Sequence, residues 1–355
     1  MSRFERLQCR DPRDYIFALL AISSDSIDLG ITPDYSKSPK QVFLDTAISI
    51  VESHQDLSYL TLACALDNLS DLTHPSWAIT SPRPAHLLSP VLPCEVFSLH
   101  PFRALHAPPR FFADGKTHVL TLNGRIVDHF SFIKSPIYPN KSYILGKGDA
   151  YYTETASQLT EALSDVLCDL GITLENAAAL CRTLILDPNW KPTHGQGSPT
   201  EQAAYHFWCC FRYLVEDIEA ESIRLGLKVH TAARSHHLIK TLAPLVLEAS
   251  LNSFSTEDKL SLSEYDAAMH IWRNMQYQGR SFCTTQQRRV CSCMNKIESN
   301  DVIAAIRGAD RLYVLRPVEG ERYRLVGDAY VDGLMFGEAY EGVDPYEVDY
   351  DIELI

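Results

Sequence analysis

Three cysteines lie close together in "FCTTQQRRVCSC": Cys283, Cys291 and Cys293. A structural zinc site needs closely spaced cysteine pairs with partners elsewhere, so that four ligands can close on one tetrahedral ion. The C-x7-C-x-C spacing does not supply that, and Cys291 and Cys293 alternate along a strand pattern with its apolar face. The reading is no metal. In "FWCCF" the cysteines sit in an apolar helical pattern, where a buried thiol behaves as a small hydrophobe. The histidines are scattered, among them His74, His86, His100, His106, His118, His129, His194, His236 and His237. A Cys-His or Ser-His dyad could be assembled from any of them, so the catalytic residues stay unknown at this level. "THGQG" at 193–197 lacks the lysine and strand-to-helix context of a phosphate loop and reads as a flexible loop. Nothing resembles a dinucleotide fingerprint, and no cofactor is expected. "GLMFGE", Gly333 to Glu338, reads as bend glycines in or after a strand. "CRDPRD" sets Arg10 and Arg13 beside Asp11 and Asp14. These could form a polar cluster near a pocket, but a helix cap with solvated or paired charges explains them better.

Whatever these residues do, the chain has room to position them. Its 355 residues suffice for one large domain or two ordinary ones. With 46% apolar and 22% charged residues it has ordinary globular composition. A formal charge of -13 disfavours nucleic acid and acidic membrane surfaces as partners. Seven of the acids (Glu338, Glu341, Asp344, Glu347, Asp349, Asp351 and Glu353) fall in a stretch without Lys or Arg, which predicts a solvated, partly mobile acidic tail. "MSRFERLQCR" lacks the apolar core of a secretory signal. No run of roughly 18 apolar residues predicts a membrane span. The ten cysteines lack a compact disulfide spacing, which points to reduced thiols and a cytoplasmic setting.

Asp11, Pro12 and Asp14 spell a helix start, and "YIFALLAI" is apolar nearly all round, as a buried helix is. Ser38, Pro39 and Gln41 form a second start with a capping box, followed by apolar residues at helical spacing from Val42 to Val51. The chain then reads as N-terminal helices over 1–68 and an irregular connection over 69–110. Strands over 111–133 are announced by an Asp-Gly turn and "THVLTLNGRIVDHFSFI". A helical block covers 150–279, with Ser198 and Glu201 as a further capping box and closing helices over Val229–Leu251 and Glu257–Gln278. A β region follows over 280–340, with a hairpin turn at Gly320, and the acidic tail over 341–355. The order predicts an α+β fold. The helical block is inserted between strands, and those near 111–133 join those after 280 in one small, barrel-like, mostly antiparallel sheet.

Several of these segments together resemble the fungal heterokaryon-incompatibility, or HET-domain, family in the region downstream of its namesake domain. "DPRDYIFALLAISSD" (Asp11, Pro12, Arg13, Asp14) followed by "PDYSKSPKQVF" (Pro33, Asp34, Tyr35) is similar to a helix start, loop and second helix of the family. "HPSWAIT" with Trp77 is similar to its P-SW segment, without the further acid and Trp usual after it. "CRTLILD" with Arg182 resembles a later helical segment. The closing strands match best: "GRSFCTT", then "DVIAAIRGADRLYVLRPVEGERYRLVGDAYVDGLMFGEA". The second of these carries Leu315, Arg316, Pro317, Tyr323, Gly327, Tyr330, Gly333, Gly337 and Glu338.

The resemblance implies a recognition or interaction module in fungal non-self recognition, with the effector chemistry in a HET domain that these residues do not show. It would engage a protein partner or a small-molecule ligand. The alternative is a stand-alone enzyme of fungal secondary metabolism. A cyclase, dehydratase or isomerase needs only a shaped apolar pocket with one or two acid–base groups and could leave no motif.

Overall fold

A computed structural model of the chain describes residues 9–20, 23, 29–54, 57–64, 74–79, 111–114, 118–134, 149–185, 198–226, 233–250, 280–294, 297–309 and 311–355. In chain order the elements are α1 (Asp14–Leu20), α2 (Pro39–His54), α3 (Ser58–Cys64), β1 (Phe111–Asp114) and β2 (Val119–Lys134). The helices α4 (Asp149–Leu170), α5 (Leu174–Ile185), α6 (Pro199–Leu225) and α7 (Ala233–Ser250) follow. Then come β3 (Arg280–Thr285), β4 (Val290–Met294), β5 (Val302–Ile306), β6 (Leu312–Val318) and β7 (Arg322–Val331). A 3-10 turn (Glu338–Tyr340), the short α8 (Pro345–Val348) and β8 (Tyr350–Leu354) complete the chain. This is the expected α+β order, with a helical block between strands. Most of the 69–110 connection, the helix expected over 257–278, the loop at 193–197, and His86, His100, His106 and His194 lie outside the described residues.

The chain divides into two compact units: Met1–His129 with Asn300–Ala329 and Leu334–Ile355, and Phe130–Ser299 with Tyr330–Gly333. Hydrogen-bonded strand order is β1-β2-β3-β4-β7-β6-β5, and β2 also pairs with β5, so the path of strands returns on itself. The strands before and after the helical block therefore share one sheet, as the alternating patterns predicted. Where register is resolved, every pairing is antiparallel except the parallel β7–β8 contact.

In the first unit, β2 changes neighbours at Gly124, which lies opposite Tyr350 of β8 and Ile306 of β5. A Cβ there would stand 2.3 Å from the Ala305 carbonyl oxygen, so only glycine lets the strands approach this closely. Between β6 and β7 the register runs Val314↔Gly327 and then Leu315↔Leu325, leaving Val326 as the extra residue of a bulge. The mobile acidic tail expected from charge is corrected here. β8 pairs with both β2 and β7, and Ile352 and Leu354 are fully buried. Apolar burial at alternate positions and two sets of ladder bonds outweigh the repulsion among the acids.

The second unit is a helical body packed on a hairpin. Leu163, Leu167, Leu180, Phe211 and Val215 share a core with Phe282 of β3 and Val290 of β4. Burying each such side chain contributes roughly 1.5–3 kcal/mol. α6 opens on the expected capping box: the Ser198 hydroxyl accepts from the Glu201 N–H, and the Glu201 carboxylate accepts from the Ser198 N–H. It closes on Gly226 in the left-handed conformation (φ 63°). Ser38 caps α2 through the Gln41 N–H, but the Gln41 side chain turns to Asp45. That box is half made. Among the described residues no helix is long and apolar enough to cross a membrane.

Candidate functional site

Four of the residues singled out by sequence, Asp11, Arg13, Asp14 and Tyr35, are brought together. Asp11 Oδ1 accepts from the Arg13 N–H at 3.0 Å, the bond expected of a cap at a helix start. The same carboxylate receives the Arg13 guanidinium through Nε (2.9 Å) and Nη2 (2.7 Å). The remaining Arg13 Nη1 donates to the carbonyls of Tyr35 (2.6 Å) and Lys37 (2.9 Å), tying the "PDYSK" loop to the helix start. Tyr35 answers by donating its hydroxyl to Asp14 (2.5 Å), while its ring meets Phe17 edge-on at 5.1 Å. Hydrogen bonds from Arg13 hold the Asp11 carboxyl below its usual range, and the bond to Asp14 pushes the Tyr35 phenol up. Asp34 caps its own turn at Ser36, and Pro33 leads into that turn. "DPRD" and "PDY" are two sides of one clasp.

A second clasp joins "HPSW" to the closing strands of the first unit. Trp77 is fully buried and donates its indole N–H to the His118 carbonyl at 3.1 Å. The Ser76 hydroxyl accepts from the Leu325 N–H of β7 at 2.7 Å and donates to the Ile355 carbonyl, also at 2.7 Å. Arg316 of β6 reaches the fully buried Asp301 carboxylate through Nε at 2.8 Å and Nη2 at 3.0 Å. Leu315 beside it is buried core, and Pro317 lies opposite Tyr323 at the outer end of the β6–β7 hairpin. Gly337, with φ of 91°, opens the 3-10 turn, and Glu338 accepts from the Phe336 N–H. His118 contributes its carbonyl; His129 is exposed on β2 and donates its backbone N–H to Asp128.

In the second unit Arg182 of α5 grips Asp332 through two contacts, Nε at 2.8 Å and Nη2 at 2.7 Å. Asp332 sits between the buried Tyr330 and Gly333, whose φ is 79°, and its N–H donates to the Val290 carbonyl. Thus "CRTL" and "YVDG" meet. A polar group missed by sequence lies nearby in the chain: Asp165 of α4 accepts from Lys134 and from Arg234, each at 2.6 Å, and Lys134 also reaches Glu161. Burial favours the neutral Asp165 carboxyl, yet the two cationic donors outweigh it and hold its pKa down. Burial likewise opposes the Lys134 charge, and the two carboxylates raise its pKa. Sequence gave no sign of this group, because its members lie on three separate elements. His236 meets Glu219 at 2.6 Å on the exposed side of α6 and α7.

The three clustered thiols lie together in the β3–β4 hairpin. Cys283 and Cys291 are cross-strand partners on β3 and β4, and the sulfurs of Cys291 and Cys293 are 3.1 Å apart. All three are fully buried, and burial followed by the neighbouring Cys293 pushes the Cys291 thiol up, away from the reactive thiolate. Cys209 and Cys210 are buried in α6. The nine described cysteines are unbridged. Among the described residues no three His, Cys, Asp or Glu side chains converge on a metal position.

"DPRD", "HPSW" and "CRTL" therefore each take part in a clasp within its own unit. Arg13, Arg182 and Arg316 are each turned to an aspartate within their own unit. Residues 248–345 match the family model described as the Het-6 beta-barrel domain, over a stretch that includes β3 to β7. That region is a heterokaryon-incompatibility-associated one, in line with the resemblance carried by the closing strands, and the match covers this part of the chain alone. No curated protein and no solved structure matches the chain.

Proposed function

We propose that the chain is a recognition module of fungal non-self discrimination, acting in the cytoplasm by binding a protein partner and not by catalysis. The observation that carries this reading is the match of residues 248–345 to the Het-6 beta-barrel domain. Two features support it. Arg13, Arg182 and Arg316 are each engaged with an aspartate of the fold, and the Cys283–Cys291–Cys293 group is buried with its central thiol held protonated. The net charge of -13 opposes nucleic acid as the partner.

The test is genetic. The coding sequence is deleted from one fungal strain, and heterokaryons with divergent strains are scored for viability before and after the intact chain is restored. Viability that falls only when the chain is present supports the role. Heterokaryons indifferent to its presence would sink it.

A further inference from the structure

We propose that the ledge carrying Val343, Tyr346 and Tyr350 docks an arginine-rich segment of a protein partner, an inference that rests on the recognition role above and names its surface. Of the six large apolar side chains found exposed among the described residues, four (Phe336, Val343, Tyr346 and Tyr350) fall within one short stretch of the first unit. Tyr346 is 61% and Tyr350 46% exposed. Concentrated aromatic exposure of this kind marks interaction surfaces, whereas isolated exposed side chains do not.

The ledge is built and held. β8 is hydrogen-bonded to β2 and β7, and Tyr350 lies opposite Gly124. Arg307 anchors the short helix and the start of β8. Its guanidinium sits 4.3 Å from the centroid of the Tyr346 ring and donates to Asp349, the neighbour of Tyr350, at 2.7 Å. The Tyr346 ring thus already accepts one guanidinium, and its large exposure leaves it able to take another.

Charge selects the occupant. The exposed acids Glu341, Asp344, Glu347 and Asp351 are interspersed with the tyrosines along this stretch, and no Lys or Arg occurs from Glu338 to Ile355. An arginine-rich segment satisfies both features at once, with guanidinium groups over the rings and beside the carboxylates. A second copy of this chain, also at -13, is repelled, as is nucleic acid.

The experiment measures fluorescence anisotropy of a labelled peptide of alternating Arg and Ser with the full chain, against the same peptide carrying Glu in place of Arg. The Arg peptide is expected to bind and the Glu peptide not. Tyr346→Ala and Tyr350→Ala, which leave the net charge unchanged, should each weaken binding about three-fold. Glu347→Lys should weaken it further and flatten its dependence on salt. Melting temperatures report whether each variant is folded; the exposed Glu347→Lys keeps the test decisive should a tyrosine variant unfold.

Binding that ignores both tyrosine variants is diffuse charge attraction and overturns the proposal, as does absence of binding at low salt. A mass increase with concentration that Tyr346→Ala abolishes makes a second copy the occupant, and overturns it too. A chain that fails with the peptide but still governs heterokaryon viability loses this surface and keeps its role; the opposite pattern removes the role alone.

Discussion

Arg182 and Asp332 show how much a single pair can fix. Two parallel N–H···O bonds set both distance and plane, and lysine cannot reproduce that fork. Arg182→Ala should lower unfolding free energy by about 2–3 kcal/mol, since it strands a mostly buried carboxylate. Arg182→Lys should recover only part of the loss, and urea unfolding of the three proteins checks both. The Asp165 group makes a prediction in pH. Its carboxyl titrates lower in the folded chain, so its contribution is full above the unfolded value near about pH 4 and is lost as pH falls through the folded value. Lys134 is shifted up, so its contribution is full below about pH 10 and is lost as pH rises through its folded value. The stability difference between wild type and Asp165→Asn should therefore shrink on acidification from about pH 6 to about pH 3, as read by denaturant midpoints. None of this was legible in sequence. Lys134, Asp165 and Arg234 are ordinary charges until β2, α4 and α7 bring them together.

At the scale of elements, legibility tracked locality. The Ser198–Glu201 box could be read because all its partners lie within four residues, and it formed in full. Ser198→Ala should cost about 1 kcal/mol, measurable as a lower melting temperature. The Ser38 box was half right because Asp45, one turn further along, competes for the Gln41 amide. β8 was missed although Tyr350, Ile352 and Leu354 alternate with Asp351 and Glu353, a strand pattern overshadowed by the count of acids. What holds it, the Ser76 hydroxyl and the edge of β2, lies far away in the chain. Gly124 likewise looked like any glycine within a strand pattern. Gly124→Ala should cost about 3 kcal/mol, because the intruding Cβ meets a backbone carbonyl with no side chain to yield; equilibrium unfolding of that variant is the check.

At the scale of the molecule, the α+β order and the union of early and late strands were legible because helical and strand periods alternate cleanly along the chain. The way chain segments are shared between the units has a kinetic consequence. The second unit is drawn mainly from one continuous stretch, Phe130–Ser299, and its helices meet neighbours close in sequence. The first must gather Met1–His129, Asn300–Ala329 and Leu334–Ile355, closing a loop that contains the whole helical block. Loop closure of that length delays native pairing, so α5 and α6 should acquire amide protection first and β5, β6 and β8 last. Pulsed hydrogen exchange during refolding would read that order directly, and simultaneous protection of β5 and α6 would contradict it. Until β8 docks, the β2 edge and the aromatic stretch stay unsatisfied, which makes late refolding the interval in which this chain is most exposed to aggregation.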